Sequence, residues 1–118
     1  MTISRIGTNE RMSQAVINGD TIYLSGQVAI DASSGSVTQQ TQNILNRIET
    51  LLEESGSNKE NLLTAMIWLT NMDDFNEMNE VWDSWVPYGK APTRACVESR
   101  LASSNFAVEI SVTAVRIS

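Results

Sequence analysis

A chain of 118 residues with 42% hydrophobic content is read as one domain, 1–118, whose core buries roughly two-thirds of the unfolded surface. A formal charge of −6, a pI near 4.5 and only eight scattered Lys and Arg residues offer a phosphate backbone or an anionic membrane little to hold. With no histidine and a single cysteine, a Ser-His-Asp triad, an intrachain disulfide and a thiolate zinc site are excluded.

No apolar run approaches the ~20 residues that span a bilayer. The opening MTISRIGTNERM has no hydrophobic signal core, so the cytoplasm is the expected location. No glycine-rich phosphate loop is present, and neither cofactor nor metal is expected. Chemistry is left to carboxylates, Arg, Cys, hydroxyls, backbone groups and water.

Ile3–Ile6 reads as a short first strand. Gln14–Asn18 and Thr21–Gln27 flank Asn18-Gly19-Asp20, a strong hairpin signal. Ile22 and Leu24 face one way, Tyr23 and Ser25 the other. Gly26 suits a bulge or the close approach of another backbone. Ile30–Gly35 has turn composition. From Val37 to Ser55 the period becomes helical, with Ile44, Leu45, Ile48, Leu51 and Leu52 on one face, Gln40, Asn43, Asn46, Arg47 and Glu54 on the other, and Gly56 as the stop. Leu62–Leu69 is a nearly unbroken apolar run that reads as a strand buried on both faces.

Asp73 or Asp74 is then placed to cap a second helix, Phe75–Val86. Its apolar positions are Phe75, Met78, Val81, Trp82, Trp85 and Val86, which read as core. Pro92 marks a turn before the strand Thr93–Glu98. Phe106–Ile117 is the last strand, with Phe106, Val108, Ile110, Val112 and Ala114 on one face and Glu109, Ser111, Thr113, Val115 and Ile117 among those on the other. This order predicts an α+β fold: a mixed sheet with two helices on one face. The uncovered face calls for a partner subunit, and Val115 and Ile117 lie on it.

Arg94 carries the chemical expectation. On its strand it shares a face with Cys96 and Glu98. A guanidinium presents a planar fork that fits a carboxylate in a bidentate way, so a small anionic ligand is one reading. Internal pairing with Glu98 or Glu109 is the other, at equal weight. Glu109, among apolar neighbours, is either such a partner or an acid/base group. Cys96 reads as a pocket wall rather than a nucleophile, since no base accompanies it. Ser25 either donates to a ligand oxygen or caps a turn, and alone the cap is favoured. Asn79 is either solvent-facing or an orienting amide.

Together these residues resemble the Rid family, also called the YjgF family, of reactive-intermediate deaminases. The similarity rests on Gly19-Asp20, Ser25-Gly26-Gln27, Asp74-Phe75 with Asn79, Ala91–Glu98, Val108-Glu109-Ile110 and Ala114-Val115-Arg116. It implies a chorismate-mutase-like fold, a homotrimer whose sheets form a central barrel, and ligand clefts between subunits. It implies hydrolysis of 2-imino acids and their enamine tautomers to 2-keto acids and ammonia, as in 2-iminobutanoate/2-iminopropanoate deaminases. By motif, Arg94 would clamp the substrate carboxylate and Glu109 would handle water or protons. Ser25, Asn79 and Cys96 fall at pocket-lining positions. Met12 stands where the deaminase pattern has a tyrosine, which makes the chain a divergent member. A non-catalytic binder of small carboxylates is the alternative of another class, and a nucleic-acid role is disfavoured by the charge.

Overall fold

The structure, a computed structural model, describes residues 2–117. Met1 and Ser118, the ends of the single-domain reading, lie outside the described residues. Strand β1 (Ile3–Ile6) pairs antiparallel with β2 (Ala15–Asn18), which turns into β3 (Thr21–Leu24). Asn18 faces Thr21, so the hairpin loop is Gly19-Asp20, and Gly19 supplies φ +63° at its first position.

The chain resumes pairing at β4 (Gln27–Val28), and both β3 and β4 lie along β7 (Val108–Val115). From Tyr23 to Gln27 is four steps, while the partner residues run from Thr113 to Ile110, three steps. One extra residue is therefore accommodated between them, a bulge centred on Ser25-Gly26.

Helix α1 (Val37–Glu54) begins with a capping box in which Ser36 accepts from the Gln39 amide and Gln39 accepts from the Ser36 amide. It buries Ile44, Leu45, Ile48 and Leu52. Each such side chain contributes about 1.5–3 kcal/mol by leaving water. Gln40, expected on the polar face, is buried: its Nε2 donates to the Gly35 and Asn105 carbonyls and its Oε1 accepts from the Ala107 amide. The amide side chain ties two loops to the helix.

Strand β5 (Leu62–Leu69) runs antiparallel to β7, and helix α2 (Phe75–Trp85) then carries the chain to β6 (Thr93–Glu98), parallel to β5. The sheet order is β1-β2-β3-β7-β5-β6, with β4 also on β7. The fold is the expected α+β arrangement, both helices on one face. Neither candidate aspartate caps α2 with its side chain; Asn71 caps the preceding 3-10 turn by accepting from the Asp73 amide. Burial, and then Glu77 and Asp73, push the Asp74 carboxyl up.

Extents of 43 × 38 × 21 Å describe a slab of one sheet and one helical layer. Under the helices Ala65, Ile67, Leu69, Val108, Ile110, Val112 and Ala114 are buried. On the other face Met66 and Trp68 are half-buried, and Tyr23 and Val97 are exposed. Within one chain β5 is thus covered on one side only, not on both as its apolar run suggested. Among the described residues no helix is long and apolar enough to cross a membrane.

Candidate functional site

Arg94 projects from the edge strand β6 over α2. The register pairs Arg94 with Ala65, and Ala65 with Val112, both buried under the helices. One guanidinium nitrogen, NH1, donates to Asn79 Oδ1 at 2.7 Å. The guanidinium carbon lies 5.8 Å from the Phe75 ring centre and 5.5 Å from that of Trp82. Phe75, Asn79 and Trp82 stand four and three residues apart, one stripe of α2. Two ring faces and one amide therefore orient the cation without neutralising it. Among the described residues Arg94 makes no ion pair.

Neither proposed internal partner takes it. Glu98 Oε2 accepts from the Met72 amide at 2.9 Å. Glu109 belongs to the opposite face of the sheet, because its neighbours Val108 and Ile110 point under the helices. Cys96 shares the Arg94 face and lines a surface depression with Met72, Asp73, Phe75 and Asn76. Burial pushes its thiol up, and the Arg94 charge opposes that in smaller measure.

Glu109 lies against the bulge. A Cβ added to Gly26 would sit 2.1 Å from Glu109 Oε2 and 2.9 Å from its carboxyl carbon, so any larger residue there would displace the carboxyl group from its present position. Burial pushes the Glu109 carboxyl above the ordinary carboxylate range. Among the described residues no arginine or lysine stands within ion-pair distance of it.

Ser25, beside Gly26, is half-buried. Its Oγ donates to Gln14 Oε1 at 3.3 Å and accepts from Gln27 Nε2 at 3.1 Å. Met12 stands in the loop before β2, 38% exposed, with its backbone held by Asn9. Among the described residues no cluster of three His, Cys, Asp or Glu side chains is placed to hold a metal ion.

The six predicted residues thus fall into two groups. Arg94, Asn79 and Cys96 meet on the helix side of the sheet edge. Glu109 lies at the bulge on the face away from the helices; Ser25, in the same bulge, turns its hydroxyl to Gln14 and Gln27, and Met12 is set apart in its loop. Phe75 and Trp82, read from sequence as core only, prove also to be the platform under Arg94; their spacing from Asn79 was the available signal. Gln27 and Arg47, which hold Ser25 from behind, were not singled out, although a glutamine at a buried strand position was visible.

The family model described as "Endoribonuclease L-PSP" matches residues 2–116. A RutC family protein of Haemophilus ducreyi is 43% identical over 112 residues, covering 95% of each chain. The RutC family protein YoaB of Escherichia coli is 41% identical over 115 residues, covering 97% of this chain and 98% of the relative. A crystal structure of a member of the YjgF protein family from Neisseria meningitidis superposes with TM-score 0.96 at 44% identity, covering 100% of this chain and 98% of that one. A match that runs from the first strand through the last, in sequence and in backbone, makes this chain a member of the YjgF/RidA/RutC family.

Proposed function

We propose that this protein hydrolyses 2-imino acids and their enamine tautomers to 2-keto acids and ammonia, as a single-domain homotrimer acting in the cytoplasm. The site is a cleft shared by two copies. One contributes Arg94, Asn79 and Cys96, the other Glu109 and Ser25, with Met12 at the rim. The observation that carries the reading is Arg94: an oriented guanidinium with no carboxylate of its own among the described residues.

Its free edge would take the substrate carboxylate, in hydrogen bonds to charged groups worth about 1.5–3 kcal/mol. The imine carbon is already electrophilic, so positioning a water suffices. Glu109, its carboxyl raised by burial, would accept a proton as the water oxygen bonds to that carbon. That proton passes to nitrogen to give the carbinolamine; the hydroxyl proton then follows it to nitrogen by way of the carboxylate as the carbon–nitrogen bond breaks, the carbonyl forms and ammonia leaves. One water is consumed, no electrons are exchanged, and no histidine is needed.

The half-covered face bearing Tyr23, Met66, Trp68 and Val97 supports the trimer, since a second copy would remove those side chains from water. The charge of −6 gives RNA binding no support, whatever the matched family's description says of a nuclease.

The test is a panel of imines generated in situ by an amino-acid oxidase. The wild-type protein should speed their hydrolysis and Arg94→Ala should lower kcat/KM by roughly 10- to 100-fold. Equal rates for the two proteins overturn the proposal. Met12, where the deaminase pattern has a tyrosine hydroxyl, favours a second reading: a binder of 2-keto acids without turnover, visible by calorimetry as Arg94-dependent binding in a protein with no hydrolytic rate.

A further inference from the structure

Behind Ser25 runs a partly buried chain of hydrogen bonds whose direction is fixed from its far end. Arg47, on α1, donates through Nε to Gln27 Oε1 at 3.2 Å. A guanidinium has no acceptor, so the oxygen of the Gln27 amide must face Arg47. The Gln27 nitrogen must then face the other way. It donates to Gln14 Oε1 at 3.0 Å, to the Ser25 carbonyl at 3.2 Å and to Ser25 Oγ at 3.1 Å. Gln27 is 2% exposed, and both ends of its amide are engaged.

The consequence falls on the serine. Its oxygen receives a hydrogen from Gln27, so its own hydrogen has to point elsewhere. Among its hydrogen-bond partners the one acceptor is Gln14 Oε1, at a long 3.3 Å and shared with the Gln27 amide. That is the weakest link of the chain, and a better acceptor displaces it readily. A cation at the far end also polarises each successive bond in the donating sense.

We infer that Arg47 and Gln27 are positioning residues that commit the Ser25 hydroxyl to donate to an oxygen of the bound ligand or of the attacking water. This rests on the reading of Ser25 as a group that touches ligand. Arg47 itself stands outside the cleft, 3.9 Å from exposed Asp31, a weak pairing that leaves its Nε on Gln27. Nothing in the composition of the cleft would suggest that a helix residue behind the sheet decides which way a cleft hydroxyl points.

Gln27→Glu tests it, because the substitution keeps shape and the contact to Arg47 but removes the donor. Ser25 must then give its hydrogen to the new carboxylate. The expected result in the imine assay is a loss of about tenfold in kcat with KM little changed and thermal stability retained. Arg47→Met should lower kcat in the same sense, and Arg47→Lys, also donor-only, should recover most of it. In a Ser25→Ala background Gln27→Glu should have no further effect, since both act through one hydroxyl. Wild-type kcat in Gln27→Glu, or full additivity with Ser25→Ala, overturns the inference.

If the wild-type protein turns over no imine, the hydrolase reading fails alone and amide exchange decides this one. The Gln27 side-chain NH2, assigned by its disappearance in Gln27→Glu, should exchange with solvent at least about tenfold faster in Arg47→Met. Equal exchange rates overturn it.

Discussion

Arg94 and Glu109 stand on opposite faces of one sheet. The register sets Arg94 level with Ala65 and Val112, under the helices, while Glu109 alternates out of that face three residues earlier on the same strand as Val112. No side-chain rotation brings the two together within a chain. A ligand that touches both must lie where the helix-side edge of one copy meets the open face of another.

Mixing two impaired variants tests that arrangement. Arg94→Ala and Glu109→Gln should each be strongly impaired alone, by roughly tenfold or more. Co-refolded in equal amounts, they should recover about a quarter of the wild-type rate, because one seam in four pairs an intact Arg94 with an intact Glu109. Activity that stays at the level of the separate variants would mean that no seam joins the two groups. Light scattering on the wild-type protein should give three times the 13.0 kDa chain mass.

Arg94→Lys separates charge from shape. An ammonium keeps the positive charge but has no planar fork, and it stacks less well on the Phe75 and Trp82 rings. We expect kcat/KM between wild type and Arg94→Ala, with most of the loss in KM, measured on the same imines. A lysine variant equal to wild type would show that a point charge suffices.

Gly26→Ala puts a methyl group where Glu109 Oε2 now lies, 2.1 Å from the new Cβ. The carboxylate has to swing away. Overpacking of this sort costs about 1–3 kcal/mol, read from urea unfolding. The rate should fall further than stability explains, because the displaced group is the proposed proton acceptor. A variant that loses stability but keeps kcat would remove Glu109 from the chemistry.

Glu109 also makes stability depend on pH, with a sign opposite to that of a paired carboxylate. Its folded-state pKa is raised, so between the ordinary carboxylate range and that raised value the native protein holds more protons than the unfolded chain. Stability from this group falls as pH rises through that window, and the ionised form is disfavoured by burial above it. Glu109→Gln should therefore stabilise the protein at neutral pH and change little in acid, compared by denaturant unfolding at each pH. Equal shifts at both would contradict the raised pKa.

Much of this architecture was legible in the residues. Asn18-Gly19-Asp20 marks the hairpin, Ile44 through Leu52 repeat at helical spacing, and period-two alternation places Cys96 and Glu98 beside Arg94. Gly26 proves to sit in a bulge, and what comes close to it is the Glu109 side chain rather than another backbone. What alternation on single strands cannot give is register, and register is what forbids the internal Arg94–Glu109 pair. Gln40 was misplaced for a related reason: the loops at Gly35 and at Asn105–Ala107 close over it, and a helical wheel contains no loops. Gln27 and Arg47 lie twenty residues apart and meet only once α1 has packed on the sheet.

β6 ends the sheet and is paired only with β5 among the described residues, so its outer row of amides and carbonyls is open to any extended peptide. Charge along such a border discourages fibril-like stacking, and Arg94 and Glu98 supply it here. On the proposed reading, colloidal behaviour and chemistry would then depend on one side chain. Concentrated stocks of an arginine-to-alanine protein should cloud sooner than the parent while their circular dichroism stays the same.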